Sequence, residues 1–174
     1  MLIRQIFISP GHNFVGHYGQ PPGNFPLVDV PNVECVAGRG LRGDRYFDHR
    51  ENYKGQATFF SAEVFEKLCT HFGIKDKPAG VLRRNVIVSG IDLLSLIGRE
   101  FEIQGIRFRG TEHCAPCEWM ETAFAPYDGA HAEQSAFTRQ LIEETIAEYD
   151  AARKAPGRRP QEPGTAKRND GVTP

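Results

Sequence analysis

The fold is decided by the stretch Glu100-Phe101-Glu102-Ile103-Gln104-Gly105-Ile106-Arg107-Phe108-Arg109. Polar and apolar side chains alternate on both sides of its centre, as they do in two strands that each bury one face. A two-residue connection ending in glycine suits the tight turn of a β-hairpin, which requires positive φ angles. We therefore expect two antiparallel strands over Glu100–Ile103 and Ile106–Arg109.

Working outward from this hairpin, we expect further strands over four apolar stretches: Leu2–Ser9, Asn32–Val36, Gln56–Phe60 and Asn85–Val88. One helix is predicted to begin after Ser61, a good N-cap residue, and to end at Gly73. A single helical turn is expected within Ile91–Gly98, and an apolar stripe over Phe137–Tyr149 indicates a later helix. The 18 glycines and 12 prolines favour turns and short strands over a helical bundle. The fold class is therefore mostly β with some α.

Chain length argues for a single domain over residues 1–153 of the 174, because one domain typically spans about 100 to 200 residues. Residues 154–174 are rich in proline and glycine and contain Val172 as their one large apolar residue. Such a composition cannot bury enough apolar surface to offset the entropy of ordering. We expect a disordered tail there.

The balance of charges excludes several classes of partner. A formal net charge of −1 requires neither nucleic acid nor an anionic membrane surface. We expect no signal peptide and no transmembrane helix, because no apolar stretch has the necessary length. Four cysteines are too few for a disulfide scaffold. The expectation is a cytoplasmic protein with reduced thiols.

Cys114 and Cys117 form a Cys-x-x-Cys pair directly after the hairpin. A zinc site would need two more ligands, but Cys35 and Cys69 are isolated and no histidine pair follows. A thioredoxin-type redox pair would need a βαβ context, which the hairpin disfavours. Two further interpretations stay open: small buried thiols, or a thiolate at a loop tip that ligates a soft metal or carries sulfur.

Arginines are concentrated at two places, a glycine-rich loop with Arg39, Arg42 and Arg45, and the run Arg83-Arg84-Asn85 before a strand. Guanidinium groups grip phosphate or carboxylate at two points, and glycines allow a ligand to approach the backbone. The alternative is that these arginines pair with nearby acids, among them Asp44, Asp48 and Glu51. The six histidines are scattered, and we expect each of them at the surface or in a loop.

Taken in chain order, these motifs resemble the MOSC domain, which is named from the C-terminal part of molybdenum cofactor sulfurases. The resemblance covers roughly Met1 to Pro126, and the chain departs from the family pattern from Tyr127 onward. Four segments carry it: Gly40-Leu41-Arg42-Gly43-Asp44-Arg45, Arg83-Arg84-Asn85-Val86, the glycine and leucine series from Gly90 to Phe101, and the segment from Gly105 to Met120 with its two cysteines.

The resemblance implies an antiparallel β-barrel with a few flanking helices and a cysteine at a strand end that faces a cleft. It implies a pyranopterin-molybdenum cofactor, with Cys117 as the metal ligand and Cys114 as an additional thiol. The cofactor-binding residues implied by the family's basic motifs and the adjoining loop are Arg39, Arg42, Arg45, Arg83, Arg84 and Asn85. How the barrel closes after Tyr127 is open, and a partner chain in an oligomer is one solution.

Two functions follow from this resemblance. The first is a reductase of N-hydroxylated substrates, with an external electron donor because the sequence contains no flavin, haem or iron–sulfur motif. The second is a non-enzymatic sulfur carrier that receives a persulfide on Cys117 or Cys114 from a cysteine desulfurase. A structural or regulatory module is a third interpretation, which internal ion pairs and buried cysteines would favour.

Overall fold

The computed structural model describes residues 1–14, 21–51, 53–114 and 120 of the chain. The predictions at Cys117, over Phe137–Tyr149 and over residues 154–174 lie outside these residues. The described part contains eight strands and one α-helix: β1 (Leu2–Ile8), β2 (Val28–Asp29), β3 (Cys35–Val36), β4 (Gly40–Leu41), β5 (Phe59–Ser61), α1 (Ala62–His71), β6 (Val86–Ser89), β7 (Glu100–Ile103) and β8 (Ile106–Arg109). Two short 3-10 helices occupy Ala79–Leu82 and Leu94–Leu96.

The largest sheet has four strands in the order β2-β1-β6-β5. β1 runs antiparallel to β6, with Ile3 opposite Val88 and Ile6 opposite Val86. β5 runs parallel to β6, and α1 makes the crossover between them, as parallel pairing requires. Residues 86–88 of β6 are buried because this strand lies in the interior of the sheet.

Helix α1 begins and ends where its sequence predicts. Ser61 has extended backbone angles, and its hydroxyl accepts a hydrogen bond from the Val64 N–H, which satisfies one of the free donors of the first turn. The helix ends at His71, and Gly73 follows with a φ of +63°. Its buried face packs Val64 and Leu68 into one core cluster with Leu82 and Met120.

The hairpin of β7 and β8 has the predicted register, with Phe101 opposite Phe108. Gln104 and Gly105 have φ angles of +51° and +80°, as the two-residue turn requires. The ring of Phe59 in β5 lies edge-on to both phenylalanines, with centroid distances of 5.8 and 5.4 Å. These contacts fasten the hairpin to the edge strand of the main sheet.

The fold class predicted from the sequence, mostly β with some α, is confirmed. The described strands form the four-stranded sheet and two two-stranded sheets, β3-β4 and β7-β8, and these do not make a closed barrel. Barrel closure therefore stays a prediction. Among the described residues, no helix has both the length and the apolar character needed to cross a bilayer.

Asn85 joins the segments on both sides of β6. Its side chain is 1% exposed, donates to the Phe7 carbonyl at 3.1 Å and accepts from the N–H and the hydroxyl of Thr58 at 3.1 and 2.8 Å. The Asn85 N–H donates to the same hydroxyl at 3.0 Å. Since both ends of the amide are used inside the protein, the structure gives this residue, predicted to bind cofactor, a role in holding the sheet.

We expect Asn85→Ala to lower the free energy of unfolding by about 2–4 kcal/mol, because it leaves buried backbone groups of Phe7 and Thr58 without partners. Urea denaturation followed by circular dichroism measures this loss. The exposed Asn32→Ala serves as the matched control and should leave the midpoint nearly unchanged. Equal effects of the two substitutions would contradict the role given to Asn85.

Candidate anion-binding cleft

A cleft of about 150 Å³ lies where three loops meet: the loop after β1, the loop after β4 and the segment before β6. Both arginines and apolar side chains line it. Its described lining residues are His12, Asn13, Phe14, Arg45, Tyr46, Val81, Leu82, Arg83, Arg84 and Met120. No carboxylate occurs among these described lining residues, so the side chains that face the cleft carry a strong excess of positive charge.

The loops of the cleft are held by the carboxylate of Asp44, whose side chain is fully buried. One oxygen accepts from the Ser9 N–H at 3.1 Å and from the Arg45 guanidinium at 3.2 Å. The other accepts from the Tyr46 N–H at 3.1 Å. This carboxylate therefore joins the end of β1 to the glycine-rich loop and orients Arg45.

The guanidinium groups of Arg45 and Arg83 are both held by hydrogen bonds to neighbouring loops. Arg45 donates to the carbonyl of Arg83 at 2.9 Å, and Arg83 donates to the Ser9 hydroxyl and the Gly11 carbonyl at 3.0 and 3.1 Å. Arg83 adopts a left-handed backbone conformation, with φ at +50°. Burial, and then the positive charge of Arg45, lowers the pKa of Arg83. Burial is thus the main reason that the charged form of Arg83 is disfavoured, and the neighbouring cation of Arg45 adds to it.

Arg84 connects the arginines of the cleft to the thiol of Cys114. Its guanidinium donates to the sulfur of Cys114 at 3.1 Å, and Cys114 is exposed. The segment that carries Cys114 is tied back to Lys54, whose carbonyl accepts from Thr111 at 3.2 Å and whose ammonium pairs with Glu112 at 2.6 Å. The structure thus unites Arg45, Arg83, Arg84 and Cys114 in one region, whereas Cys117 lies outside the described residues.

Arg39 and Arg42 have the local partners that the alternative interpretation of the arginines predicts. Arg39 pairs with Asp48 at two points, and Arg42 pairs with Glu34 at 2.5 and 3.1 Å. Both guanidinium groups also stack on the ring of Phe47, at 4.8 and 5.2 Å from its centroid. Neither arginine is among the described residues that line the cleft, and their role as cofactor ligands stays a prediction.

A group of four rings that the sequence did not bring together adjoins the arginines: His12, Tyr46, His49 and Tyr53. The ring of His12 lies 4.9 Å from Tyr46 and 6.2 Å from His49, and Tyr53 lies 4.8 Å from His49. Three of these residues fall within eight positions of one another, which is a signal of a shared loop. His12 comes from a distant segment, and no local pattern reveals its proximity.

Cys35 and Cys69 are not among the described lining residues of the cleft. Among the residues that the structure describes, no three His, Cys, Asp or Glu side chains are placed to hold a metal ion. Burial raises the pKa of both Cys35 and Cys69. These two thiols are half-buried, close to the expected core positions.

Comparison with known families matches residues 47–173 to the MOSC domain. The chain belongs to this family. The matched range contains Arg83-Arg84-Asn85, Cys114 and Cys117, and it extends past Pro126, where the motif series quoted above ends. No curated protein and no solved structure matches the chain significantly.

Removal of the Asp44 charge is expected to be far more damaging than removal of the Asp48 charge in the same loop. Asp44→Asn should lower the free energy of unfolding by about 3 kcal/mol or more, because it leaves the buried guanidinium of Arg45 without its carboxylate. Asp48→Asn should have a much smaller effect, because the Arg39 pair is exposed and water screens it. Chemical denaturation of both variants tests this, and losses of equal size would contradict it.

The thiols should differ in their rates of alkylation. At about pH 8, iodoacetamide should label Cys114 before Cys35 and Cys69, because Cys114 is exposed and burial reduces the thiolate fraction of the other two. Peptide mapping by mass spectrometry gives each rate separately. Labelling of Cys35 or Cys69 should accelerate in urea, and equal rates for all three thiols in the native protein would count against the structure described here.

Proposed function

We propose that this chain binds a pyranopterin-molybdenum cofactor and uses it as a reductase of N-hydroxylated substrates. Membership of the MOSC family supports a function related to molybdenum cofactor sulfurases. The observation that carries the proposal is the convergence of Arg45, Arg83 and Arg84 on one cleft, with the Cys114 thiol 3.1 Å from Arg84. Cys117 is the proposed metal ligand.

The described residues of the cleft fit the phosphate end of such a cofactor. Its pterin ends in a phosphate, and guanidinium groups are the side chains best suited to bind that group. Burial, and then the charge of Arg45, lowers the pKa of Arg83, and a bound anion would offset the repulsion between these two cations. A thiolate is the soft ligand that a thiophilic metal favours.

The roles of the chain's own residues follow from their positions. Arg45, Arg83 and Arg84 would hold the phosphate, and Asp44 orients Arg45 for this task. Phe14, Val81, Leu82 and Met120 add apolar surface to the lining, which would contact the apolar parts of a bound ligand. Cys117 would hold the molybdenum, and the cofactor when bound would supply two-electron acceptance of the oxygen atom of the N-hydroxyl group, with an external donor to restore the two electrons.

Purification from cells that make the cofactor tests the proposal. We expect molybdenum and pterin to copurify with the wild-type chain. Arg84→Gln should lower pterin content about tenfold, as loss of a charged hydrogen bond predicts. Cys117→Ser should lower molybdenum content, whereas Cys35→Ser, the control, should resemble wild type. Wild-type protein that contains neither molybdenum nor pterin would refute the proposal.

A sulfur carrier is the second candidate, and the exposure of Cys114 beside Arg84 supports it. In that function a cysteine desulfurase persulfide would transfer its outer sulfur to the thiolate of this chain, and the desulfurase thiolate would leave. The cation of Arg84 would stabilise the persulfide anion so formed. Incubation with a desulfurase and cysteine should add the mass of one sulfur atom to the wild-type chain and to Cys35→Ser. A Cys114→Ser, Cys117→Ser double variant should gain none, and the absence of any adduct on wild type would exclude this candidate.

A further inference from the structure

We propose that His12 is the titrating residue of the cleft: it is neutral in the absence of a ligand and takes up a proton when an oxyanion binds among Arg45, Arg83 and Arg84. This inference rests on the proposed function, because it assumes that the arginines bind an anion. It adds a fourth cationic donor and makes the affinity for the anion dependent on pH.

The position of His12 is fixed by the same network that fixes the arginines. It follows Ser9 and Gly11, which receive hydrogen bonds from Arg83, and Asp44 accepts the Ser9 N–H. The ring of His12 then packs against Tyr46 at 4.9 Å. His12 and Arg45 therefore line the same cleft from two different loops.

His12 is the one described side chain lining the cleft whose type changes charge near neutral pH. Arginine stays protonated at any pH at which proteins fold, and tyrosine phenols ionise far above neutrality. The nearby carboxylate of Asp44 is fully buried and already accepts three hydrogen bonds. The nearby ring of His49 is exposed and lies outside the lining.

The charges that face His12 oppose its protonation. Burial is the largest cause of its lowered pKa, followed by the positive charge of Arg45, with His49 and Arg83 acting in the same direction and Asp44 against them. An oxyanion among the arginines would offset part of the positive charge that acts on the imidazole. The pKa of His12 should then rise in the complex.

Thermodynamic linkage fixes the direction of the effect. If the anion raises the pKa of His12, then protonated His12 raises the affinity for the anion by the same factor. Affinity should therefore be greatest below the pKa of the free protein. It should fall as pH rises, by up to about tenfold per pH unit, until it levels off above the pKa of the complex.

Sulfate is the appropriate probe, because it remains a dianion between about pH 5 and 8, where histidines titrate. Isothermal titration calorimetry at constant ionic strength, in buffers with different heats of protonation, measures proton uptake per sulfate bound. We expect wild type and His71→Gln to take up a fraction of one proton. His71 is an exposed residue at the end of α1 and serves as the matched control. His12→Gln should bind sulfate with no proton uptake and a flat pH profile.

The outcomes separate this inference from the function on which it rests. Sulfate binding with unchanged proton uptake in His12→Gln would overturn the role of His12 and leave the arginine site intact; loss of uptake in His49→Gln would then assign the proton to that residue. No sulfate binding to wild type, or binding unaffected by Arg84→Gln, would overturn both.

Nuclear magnetic resonance titration of the wild-type imidazoles needs no variant to fold. Addition of sulfate should raise the pKa of His12 and leave that of His71 unchanged. An identical titration of His12 with and without sulfate, at concentrations where sulfate binds, would also overturn the inference.

Discussion

The cleft depends on the hydrogen bonds that the buried carboxylate of Asp44 accepts. The carboxylate has three donors, and they belong to the end of β1, to Arg45 and to the backbone of Tyr46. A carboxylate removed from water is stable only when such donors surround it. Its presence therefore forces two segments far apart in the sequence to meet. The remaining positive charge of Arg45 and Arg83 faces outward into a cleft that suits an anion.

Much of the fold is predictable from the sequence because its signals are local. The alternation around Gln104-Gly105 specifies the hairpin, and the serine cap and the apolar stripe specify α1. The strand predicted over Gln56–Phe60 begins later, at Phe59, and the preceding Thr58 donates to the side chain of Asn85. The parallel pairing of β5 with β6 is not a local property, since it depends on where α1 returns the chain.

The candidate site was only partly predictable, because residue type does not reveal which partner a side chain meets. Arg42 and Arg45 belong to the same motif, yet one pairs with Glu34 at the surface and the other with a buried acid at the cleft. The side-chain amide of Asn85 could donate to and accept from a ligand, but it makes these hydrogen bonds with Phe7 and Thr58 instead. The proximity of His12 to Arg45 arises from tertiary contacts between loops, which no spacing rule encodes.

The left-handed backbone of Arg83 is a conformational cost at a position whose side chain lines the cleft. A left-handed conformation disfavours any residue with a Cβ by about 1–2 kcal/mol, and here it is combined with a guanidinium that a second arginine repels. Strain of this kind is retained where it serves a site. Glycine would relieve both the conformation and the repulsion, but it would remove a cation from the cleft. An arginine here therefore accepts backbone strain in return for the hydrogen bonds that its guanidinium gives to Ser9 and Gly11.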